Sequence, residues 1–554
     1  RPLLDLAALH ERQDGVAELH GDLQLRERLR EKIAGILDLE RLLSRISLDS
    51  AGPRDLLALA SSAARLPSVA ETLSHLQAAG WKRLHGSLDC LTDLHETIRT
   101  TLAEQPPVHL EDGGAIAAGV DAELDELRTL SLSGKQSIAA IEERERQRTG
   151  ISSLKVRYNS VFGYYIEITK ANVQHAPADY ERKQTLVNAE RFTTRELKEY
   201  ERSVLGAQER CLEIERRIFL ELRQTILAAS TRIRASAEAI AEIDLLACFA
   251  HLAAARQYVR PTVDNSGVFE ALASRHPVIE WHMGQASEGR FVPNSIYLDT
   301  AGPSLLLLTG PNMGGKSTYL RQAALLVILA QMGSFVPAQR MRLGLVDRIY
   351  TRIGASDNVA EGRSTFMVEM TETATILNTA TRQSLLLLDE MGRGTATFDG
   401  MSLAWATVEH IHEVLGARTL FATHYHELTM LSKNLVRLKN LRVTVQENPN
   451  GIVFLHTIEE GAANKSYGIE VARLAGIPRE VVVRAREILR HHERSEKREI
   501  ESSHEPSLQL TMFTPLSQSI VDQIQALDLN ALTPLQALNL LEELQQEVRK
   551  GQTE

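Results

Sequence analysis

A glycine-rich segment near the middle of the chain restricts the possible fold more than any other stretch. It reads GPNMGGKS from Gly310 to Ser317, follows an apolar run that ends at Thr309, and precedes a helical pattern from Thr318 to Leu329. This is the pattern GxxxxGK[ST] in the strand–loop–helix context that it requires. Glycines allow backbone N–H groups to close around phosphate oxygens, and the helix N-terminus adds a favourable field. The segment predicts a nucleotide site, with a glycine-rich turn that binds nothing as the weaker alternative.

The side chains of this segment indicate ATP and Mg²⁺ as cofactors. We expect Lys316 to contact the β- and γ-phosphates and the hydroxyl of Ser317 to bind Mg²⁺. The residues predicted to surround the nucleotide are those of the loop and the first helical turn: Gly310, Pro311, Asn312, Met313, Gly314, Gly315, Lys316, Ser317 and Thr318.

Two further apolar runs end in residues that suit the same chemistry. One ends in Asp389 and Glu390, and the other, Arg418 to Thr423, precedes His424. An aspartate at the end of a strand beside a phosphate loop suits water-mediated Mg²⁺ binding, and the adjacent glutamate can orient or deprotonate water. His424 is predicted to face the γ-phosphate. The HYHE cluster that starts there also suggests a metal, but no further Cys or His with zinc spacing supports it. We therefore predict Glu390, His424 and Lys316 as catalytic residues and Ser317 and Asp389 as Mg²⁺ ligands.

Length and composition limit the class of protein. A chain of 554 residues is expected to form three or four domains. The 62 Lys and Arg against 72 Asp and Glu exclude a protein covered in basic charge but not a local nucleic-acid surface. The three cysteines show no metal-type spacing, and no apolar run reaches the roughly 18 residues of a membrane span. We expect a cytoplasmic protein that is not embedded in a membrane.

A small β-rich insertion interrupts an otherwise helical first half. Residues 1–150 and 201–262 show helical periodicity, and whether the second stretch is one helix or two stays open. Between them, SLKVRYNSVFGYYIEIT alternates with a period near two, as strands require. Residues 155–198 carry eight Lys and Arg against five Asp and Glu, interleaved with Tyr and Asn. This balance favours contact with a phosphate backbone, although a solvated polar tip is an equal alternative on these residues alone.

Four motifs together resemble the ATPase domain of the MutS family of DNA mismatch repair proteins, a branch of the ABC-type ATPases. They are TGPNMGGKS, EGRSTFMVEM, LDEMGRGTATFDG and ATHYHEL, which begin at Thr309, Glu361, Leu388 and Ala422. The likeness extends over almost the whole chain. It implies a multidomain fold with a helical core and long lever helices (1–150 and 201–262), a β-rich DNA clamp (151–200), an α/β P-loop ATPase domain (263–492) and a helical tail (493–554).

The resemblance also implies roles for residues that the bare sequence leaves ambiguous. ATPase domains of this family pair head to tail, so Ser364 would meet the γ-phosphate of the partner's site, although Ser364 otherwise suits an ordinary helix N-cap. The resemblance also implies that Asp399 lies at the dimer seam, whereas the residues alone predict a turn there. Phe291 and His456 resemble the pair that sandwiches adenine, with buried packing as the alternative. The implied DNA contacts are Lys155, Arg157, Asn159, Tyr164, Lys170, Arg182 and Lys183.

The tail suggests protein partners. Gln509, Leu510 and Phe513 in QLTMF resemble short peptides that dock on the replication sliding clamp, although such pentapeptides are common by chance. Leu516 to Val548 resembles the oligomerisation helices of the family, and a generic amphipathic tail is the alternative. The resemblance thus implies a homodimer or tetramer, with MutL and the sliding clamp as further partners.

The implied function is a dimeric, nucleoid-associated ATPase. It would bind mismatched double-stranded DNA, switch to a sliding clamp with ATP, and recruit repair factors. Family members begin with a mismatch-reading domain that carries a Phe-x-Glu wedge, followed by a connector domain. The sequence from Arg1 already resembles the helical core, so we expect an incomplete chain that lacks both domains. We therefore expect a chain that scarcely prefers mismatches. The alternative function is a mismatch-blind structural clamp on branched or recombination DNA.

Overall fold

The computed structural model describes residues 1–159, 163–286, 289–311, 314–353, 365–448, 451–463 and 467–501. Two compact units divide the chain, Arg1–Gly468 and Ile469–Glu554. The described helices are α1 (Leu6–Gly21), α2 (Leu23–Ile33), α3 (Leu39–Ser47), α4 (Pro53–Ala63), α5 (Leu66–Leu73), α6 (Ala79–Ser87), α7 (Thr92–Thr101), α8 (Ala122–Thr149), α9 (Arg195–Ala228), α10 (Ser230–Arg256), α11 (Pro277–Ala286), α12 (Lys316–Gln331), α13 (Thr365–Thr379), α14 (Thr397–His410), α15 (Gly468–Leu474) and α16 (Arg479–Glu501). The described strands are β1 (Lys155–Asn159), β2 (Gly163–Thr169), β3 (Glu181–Thr185), β4 (Ala189–Thr193), β5 (Thr262–Asp264), β6 (Val268–Ser274), β7 (Asn294–Asp299), β8 (Leu305–Thr309), β9 (Arg340–Gly344), β10 (Ile349–Arg352), β11 (Leu385–Asp389), β12 (Arg418–Ala422), β13 (Leu438–Asn448) and β14 (Gly451–Glu460).

Helices α1–α7 pack with α9 and α10 around one apolar core. Aspartates start three of the helices: the carboxylates of Asp5, Asp22 and Asp38 accept backbone N–H groups of the first turns of α1, α2 and α3. Trp81 is fully buried at the centre, and its indole N–H donates to the carbonyl of Gly15 at 3.1 Å. Helices α1–α8 thus lie within the first 150 residues, where the sequence shows helical periodicity.

Two long helices carry the β insertion. Helix α8 leads into it and α9 leads out, and near the base the Arg128 guanidinium lies 2.7 Å from the buried carboxylate of Glu215. Ala229 separates α9 from α10, so the stretch left open by periodicity is two helices. The insertion itself is an antiparallel sheet in the order β1-β2-β4-β3, and Ile166, Ile168, Phe192 and Leu197 contribute to its small core.

A six-stranded sheet forms the core of the second half, in the order β10-β11-β12-β8-β13-β14. Its strands run parallel except for β14, which pairs antiparallel with β13. Strands β8, β11 and β12 are buried at every position, as expected for parallel strands covered on both faces. Parallel strands place their carboxyl ends at one edge, so Thr309, Asp389 and Ala422 end close together. A second sheet, β5-β9-β6-β7, shares an apolar core with α12.

The unit that begins at Ile469 contains α16, which follows α15. Glu470 pairs with Arg473 at 3.1 Å and also pairs with Arg486 of α16. The predicted sliding-clamp motif of Gln509, Leu510 and Phe513 lies outside the described residues. Within the described part of the chain, no helix is long and apolar enough to cross a membrane.

Candidate nucleotide site and DNA-contacting surface

The glycine-rich loop connects β8 to α12 in a conformation that side chains would obstruct. Gly310 has φ +140° and Gly315 has φ +98°, and a Cβ added to Gly314 would lie 2.8 Å from Cγ1 of Val443. The N–H of Gly314 donates to the carbonyl of Pro311 at 3.0 Å. The loop can therefore present backbone donors to a ligand at close range. Asn312 and Met313 lie outside the described residues.

Lys316 starts α12 and is almost completely buried, with 2% of its surface exposed. Its ammonium group donates to the carbonyl of Gly310 at 2.6 Å, and it lies 3.9 Å from Oε1 of Glu390. Burial lowers the pKa of Lys316, while the nearby acids oppose this shift. Lys316 is thus a buried cation that bonds across the glycine-rich loop. An anionic ligand bound by this loop would compensate its charge.

Ser317 and Asp389 form the pair that would bind a divalent cation. The Ser317 hydroxyl donates to Oδ2 of Asp389 at 2.5 Å, at the edge where β8 and β11 end. Oδ1 of Asp389 is buried and has no hydrogen-bond partner among the described residues. Burial raises the pKa of Asp389. Because an orphaned buried carboxylate oxygen is costly and Mg²⁺ prefers oxygen ligands, this pair fits the predicted Mg²⁺ site.

Glu390 adopts a left-handed backbone conformation, with φ +51°. Its N–H donates to the carbonyl of Ala422 at 2.9 Å, and its carboxylate accepts from the Arg393 guanidinium at 2.7 Å. A positive φ is uncommon for a residue other than glycine and persists only where the surroundings enforce it. The turn after β11 therefore holds Glu390 in a specific orientation beside Lys316.

His424 follows β12 at the same edge of the sheet. Its ring lies 4.0 Å from the ring of Tyr425, and more than a third of the residue stays exposed. Partial burial lowers the pKa of His424, with Glu390 opposing and Lys316 adding to the shift, so the imidazole is neutral at pH 7. The described residues contain no group of three or more His, Cys, Asp or Glu arranged to hold a metal ion.

A cavity of about 300 Å³ adjoins the loop. Gly314, Gly315 and Thr318 line one side of it, and Phe291 and His456 line another. Further lining residues are Ile279, Met283, Arg290, Val292, Asn294, Tyr319, Gln322 and Ile458. This volume is at the lower end of the range for small-molecule sites. The structure thus brings Phe291 and His456, far apart in sequence, to one cavity beside the predicted phosphate loop.

Asn294 joins the two chain segments of this cavity, and sequence reasoning missed it. Its amide N–H donates to the carbonyl of His456 at 2.9 Å, and its amide oxygen accepts from the N–H of Ile458 at 2.8 Å. His456 itself has φ +56° and lies 3.4 Å from the carbonyl of Gly314 through Nδ1. A single asparagine at the start of a strand carries no signal for such a distant contact, so only the structure could reveal it.

The clamp insertion presents the seven predicted DNA contacts unevenly. Lys155, Arg157, Lys170 and Arg182 are exposed, whereas Asn159, Tyr164 and Lys183 are half-buried. Acids neutralise three of them: Arg157 lies 3.6 Å from Glu167, Arg182 lies 2.9 Å from Glu190, and Lys183 lies 3.8 Å from Glu201. Lys155 and Lys170 form no ion pair within the described residues. These two lysines are the least compensated charges of the predicted set.

Of the two residues expected at a dimer seam, the structure describes one, Asp399. Asp399 is exposed in the first turn of α14, directly after Phe398, which is 61% exposed. Without the family resemblance, the residues around Asp399 predicted a turn. In the structure Asp399 lies in the first turn of a helix instead. Ser364 directly precedes α13 and lies outside the described residues.

Fold and site together define a multidomain α/β protein with a phosphate-loop-type strand–loop–helix and a helical half that carries a small β insertion. Comparison with known families agrees with this division. The family model for MutS domain V matches residues 306–493, and the model for MutS family domain IV matches residues 119–210.

Curated relatives match along the whole chain. The DNA mismatch repair protein MutS of Solibacter usitatus is 54% identical over 555 residues, covering 100% of this chain and 64% of the relative. The proteins of the same name from Symbiobacterium thermophilum and Myxococcus xanthus are 51% and 50% identical, with 100% and 99% of this chain and 64% of each relative covered. This chain belongs to the MutS family, and it spans 64% of the length of these relatives.

Proposed function

We propose that this chain is an Mg²⁺-dependent ATP hydrolase that acts in DNA mismatch repair. The observation that carries the proposal is the convergence of Lys316, the Ser317–Asp389 pair and Glu390 at one edge of the six-stranded sheet. A buried cation, an unsatisfied carboxylate oxygen and a constrained second carboxylate meet beside a glycine-rich loop. Few ligands other than a metal-bound polyphosphate satisfy all three.

Each residue then has a defined task. The ammonium of Lys316, which rests on the Gly310 carbonyl, would turn to the β- and γ-phosphates and neutralise their charge. Ser317 would hold Mg²⁺ directly and Asp389 would hold it through water, and the bound ion supplies further charge neutralisation. The carboxylate of Glu390 would orient the attacking water and accept its proton. The neutral imidazole of His424 would donate a hydrogen bond at the γ-phosphate edge.

The cavity beside the loop supports adenine as the base. The aromatic ring of Phe291 and the imidazole of His456 offer flat surfaces on which a purine can stack. Asn294 holds the His456 segment against β7 through its two hydrogen bonds, so this wall exists before a ligand binds. A preformed wall reduces the ordering cost of binding.

We further propose an ABC-type head-to-tail dimer in which Ser364 of one chain completes the site of the other and Asp399 lies at the dimer seam. The large exposed apolar side chains of Met367 on α13 and Phe398 on α14 support this arrangement. The relatives from Solibacter usitatus and Symbiobacterium thermophilum are named as DNA mismatch repair proteins. In that role ATP binding would act through α9 and α10 on the clamp insertion and convert a bound clamp into a sliding one. MutL and the replication sliding clamp are the proposed partners.

The proposal is tested by steady-state ATP hydrolysis of the full 554-residue chain with Mg²⁺. Lys316→Ala should lower turnover by at least about 100-fold, because the main phosphate-neutralising charge is lost. Lys316→Met keeps much of the buried stem and separates this effect from misfolding. Lys439→Ala, an exposed lysine on β13 paired with Glu460, is the control that should hydrolyse ATP normally. Unchanged turnover in both Lys316 variants would refute the site.

Binding titrations test the DNA role. Matched and mismatched duplexes should both bind weakly, with less than about tenfold preference for the mismatch, because no wedge residue is part of the proposed contact surface. A preference well above tenfold would show that the described clamp itself reads mismatches.

A further inference from the structure

Side chains from two separate elements hold both backbone polar groups of one residue, Gly392, near the predicted catalytic glutamate. The N–H of Gly392 donates to Oε1 of Glu369 at 2.6 Å, and the C=O of Gly392 accepts from the Tyr425 hydroxyl at 3.1 Å. Glu369 lies on α13, Tyr425 directly follows His424, and Gly392 lies two residues after Glu390. The turn that carries Glu390 is therefore tied to α13 and to the His424 segment.

The turn has no room for a side chain at either of its two close glycines. Gly392 has φ +85°, and a Cβ added there would lie 2.5 Å from the carbonyl oxygen of Gly400. A Cβ added to Gly400 would lie 2.5 Å from the Tyr425 hydroxyl oxygen. These approaches are too close for any side chain, so glycine at position 400 leaves room for the Tyr425 hydroxyl and glycine at position 392 allows the two backbone segments to approach each other.

The carboxylate of Glu369 is held by an ion pair with Arg352 as well as by the N–H of Gly392. Glu369 is 3% exposed, and its Oε2 lies 3.4 Å from Nη2 of Arg352, which ends β10 and is 6% exposed. Nε of Arg352 lies 3.2 Å from the exposed carboxylate of Glu372. A buried ion pair often adds no net stability to a fold. Since the Glu369 carboxylate of this pair also accepts the N–H of Gly392, its position points to a role in orienting the turn.

We propose that Glu369 and Tyr425 are positioning residues that fix the orientation of Glu390 by holding the peptide of Gly392. This inference rests on the proposed ATP hydrolysis at the site. Neither side chain forms a hydrogen bond with the described residues of the phosphate loop, and each acts through the turn. Since Glu369 belongs to α13, a displacement of that helix also reaches Glu390 through Gly392.

The expected kinetic signature follows from the strained backbone of Glu390. A residue at φ +51° stays there only while its surroundings enforce the conformation. If one hold on Gly392 is lost, a smaller fraction of the molecules has Glu390 aimed at the water, while the glycine-rich loop keeps its phosphate donors. The catalytic rate should fall, and the apparent affinity for ATP should not.

The experiment compares four variants of the full chain in Mg²⁺-dependent ATP hydrolysis. Tyr425→Phe removes only the hydroxyl, and Glu369→Gln keeps an acceptor but removes the charge. Tyr425→Phe should lower kcat about tenfold, equivalent to one lost hydrogen bond, and Glu369→Gln should lower kcat less, because the charge-assisted bond to the Gly392 N–H becomes a neutral one. In both variants KM should stay within about twofold of wild type. Tyr350→Phe, which loses a hydroxyl bound to Thr379, and Glu372→Gln, which shares Arg352 but does not contact Gly392, should keep the wild-type kcat.

Hydrogen exchange of the peptide that contains Gly392 gives a second, independent measurement. In Glu369→Ala its amide should exchange faster than in wild type, because its acceptor is gone. Wild-type kcat in both Tyr425→Phe and Glu369→Gln, or a raised KM with unchanged kcat, would overturn the inference and leave the ATPase proposal standing. A lowered melting temperature with unchanged kcat would also overturn it, as a purely structural role. Absence of hydrolysis in the wild type would overturn both.

Discussion

Gln331 and Leu3 are joined by two hydrogen bonds, one in each direction. The N–H of Leu3 donates to the carbonyl of Gln331 at 2.7 Å, and the side-chain amide of Gln331 donates to the carbonyl of Leu3 at 3.1 Å. Gln331 ends α12, the helix that begins at Lys316. At 1.5 Å per residue its 16 residues span about 24 Å, so the phosphate loop and the N-terminal segment contact opposite ends of one helix.

Gln331→Ala should therefore lower the free energy of unfolding by more than the replacement of a polar residue usually does. The side chain also exchanges hydrogen bonds with the backbone of Val346, at 2.9 Å and 3.0 Å, and all of these groups are buried. Its loss leaves the N–H of Val346 without a partner, which should cost about 2–3 kcal/mol of unfolding free energy in urea denaturation. Gln383→Ala, at an exposed position before β11, should stay within about 0.5 kcal/mol of wild type. Equal stability of the two variants would contradict the link.

Asp389→Asn should separate cation binding from folding. Asparagine keeps an acceptor for the Ser317 hydroxyl but removes the charge whose second oxygen has no partner among the described residues. Hydrolysis of ATP with Mg²⁺ should fall by at least about 100-fold. Without nucleotide the variant should be about 0.5–2 kcal/mol more stable, because a buried ionised carboxylate is removed.

The control for Asp389→Asn lies at the opposite edge of the same sheet. Asp347 accepts hydrogen bonds from Ser384 at 2.8 Å and from Thr381 at 2.7 Å, before β11 begins. Asp347→Asn should leave ATP turnover unchanged. An Asp389→Asn protein that hydrolyses ATP at the wild-type rate, or that Mg²⁺ still stabilises as much as wild type, would exclude Asp389 from the cation site.

His276 should make the cavity wall sensitive to acid. Its Nδ1 accepts the N–H of Ile279 at 3.2 Å at the start of α11, and Ile279 and Met283 of that helix line the cavity. Burial lowers the pKa of His276 from its ordinary value of 6.5, Arg321 adds to this shift, and Glu280 pairs with Arg275 nearby. Because the folded pKa is lowered, the contribution of His276 to stability is complete above about pH 6.5 and is lost as pH falls through the folded pKa.

Melting temperatures measured at pH 7.5 and at lower pH test this expectation. His276→Asn keeps a capping acceptor that does not titrate, so its melting temperature should fall less on acidification, by the equivalent of about 1 kcal/mol. His85→Asn, at an exposed position on α6, should follow the wild-type pH dependence. If His276→Asn loses stability on acidification as steeply as wild type, His276 is not responsible.

The elements next to the motifs could be predicted closely from sequence. The apolar run from Ser304 to Thr309 predicted a strand, and β8 spans Leu305–Thr309. The reason is local, since a glycine-rich phosphate loop requires a buried strand before it and a helix after it. The break at Ala229 had no such signal, because no glycine or proline marks it and both flanking segments favour helix. Only packing against the other core helices decides where α9 ends.

The site was predictable as separate pieces but not as an arrangement. Asp389 and Glu390 end one apolar run, and Lys316 ends the glycine-rich loop that follows another, so the common edge of a parallel sheet could be inferred. The strand order β10-β11-β12-β8-β13-β14 depends on pairings across more than a hundred residues and has no local signature. For the same reason Glu369 and Tyr425 lay inside quoted motifs without an assigned role, since both act only through Gly392.

Lys155 and Lys170 should carry more of the DNA affinity of the clamp than their neighbours. Both are exposed, and neither forms an ion pair within the described residues, whereas Arg182 and Lys183 face Glu190 and Glu201. Each uncompensated lysine that meets a phosphate releases about one counterion. Lys155→Ala and Lys170→Ala should each therefore reduce the slope of log K against log salt concentration by about one for duplex DNA, with equal losses for matched and mismatched sequences. Lys82 is an exposed lysine on α6, and Lys82→Ala should leave the slope unchanged. If Lys82→Ala alone reduced the slope, the DNA-binding surface would lie on the helical core and not on the clamp.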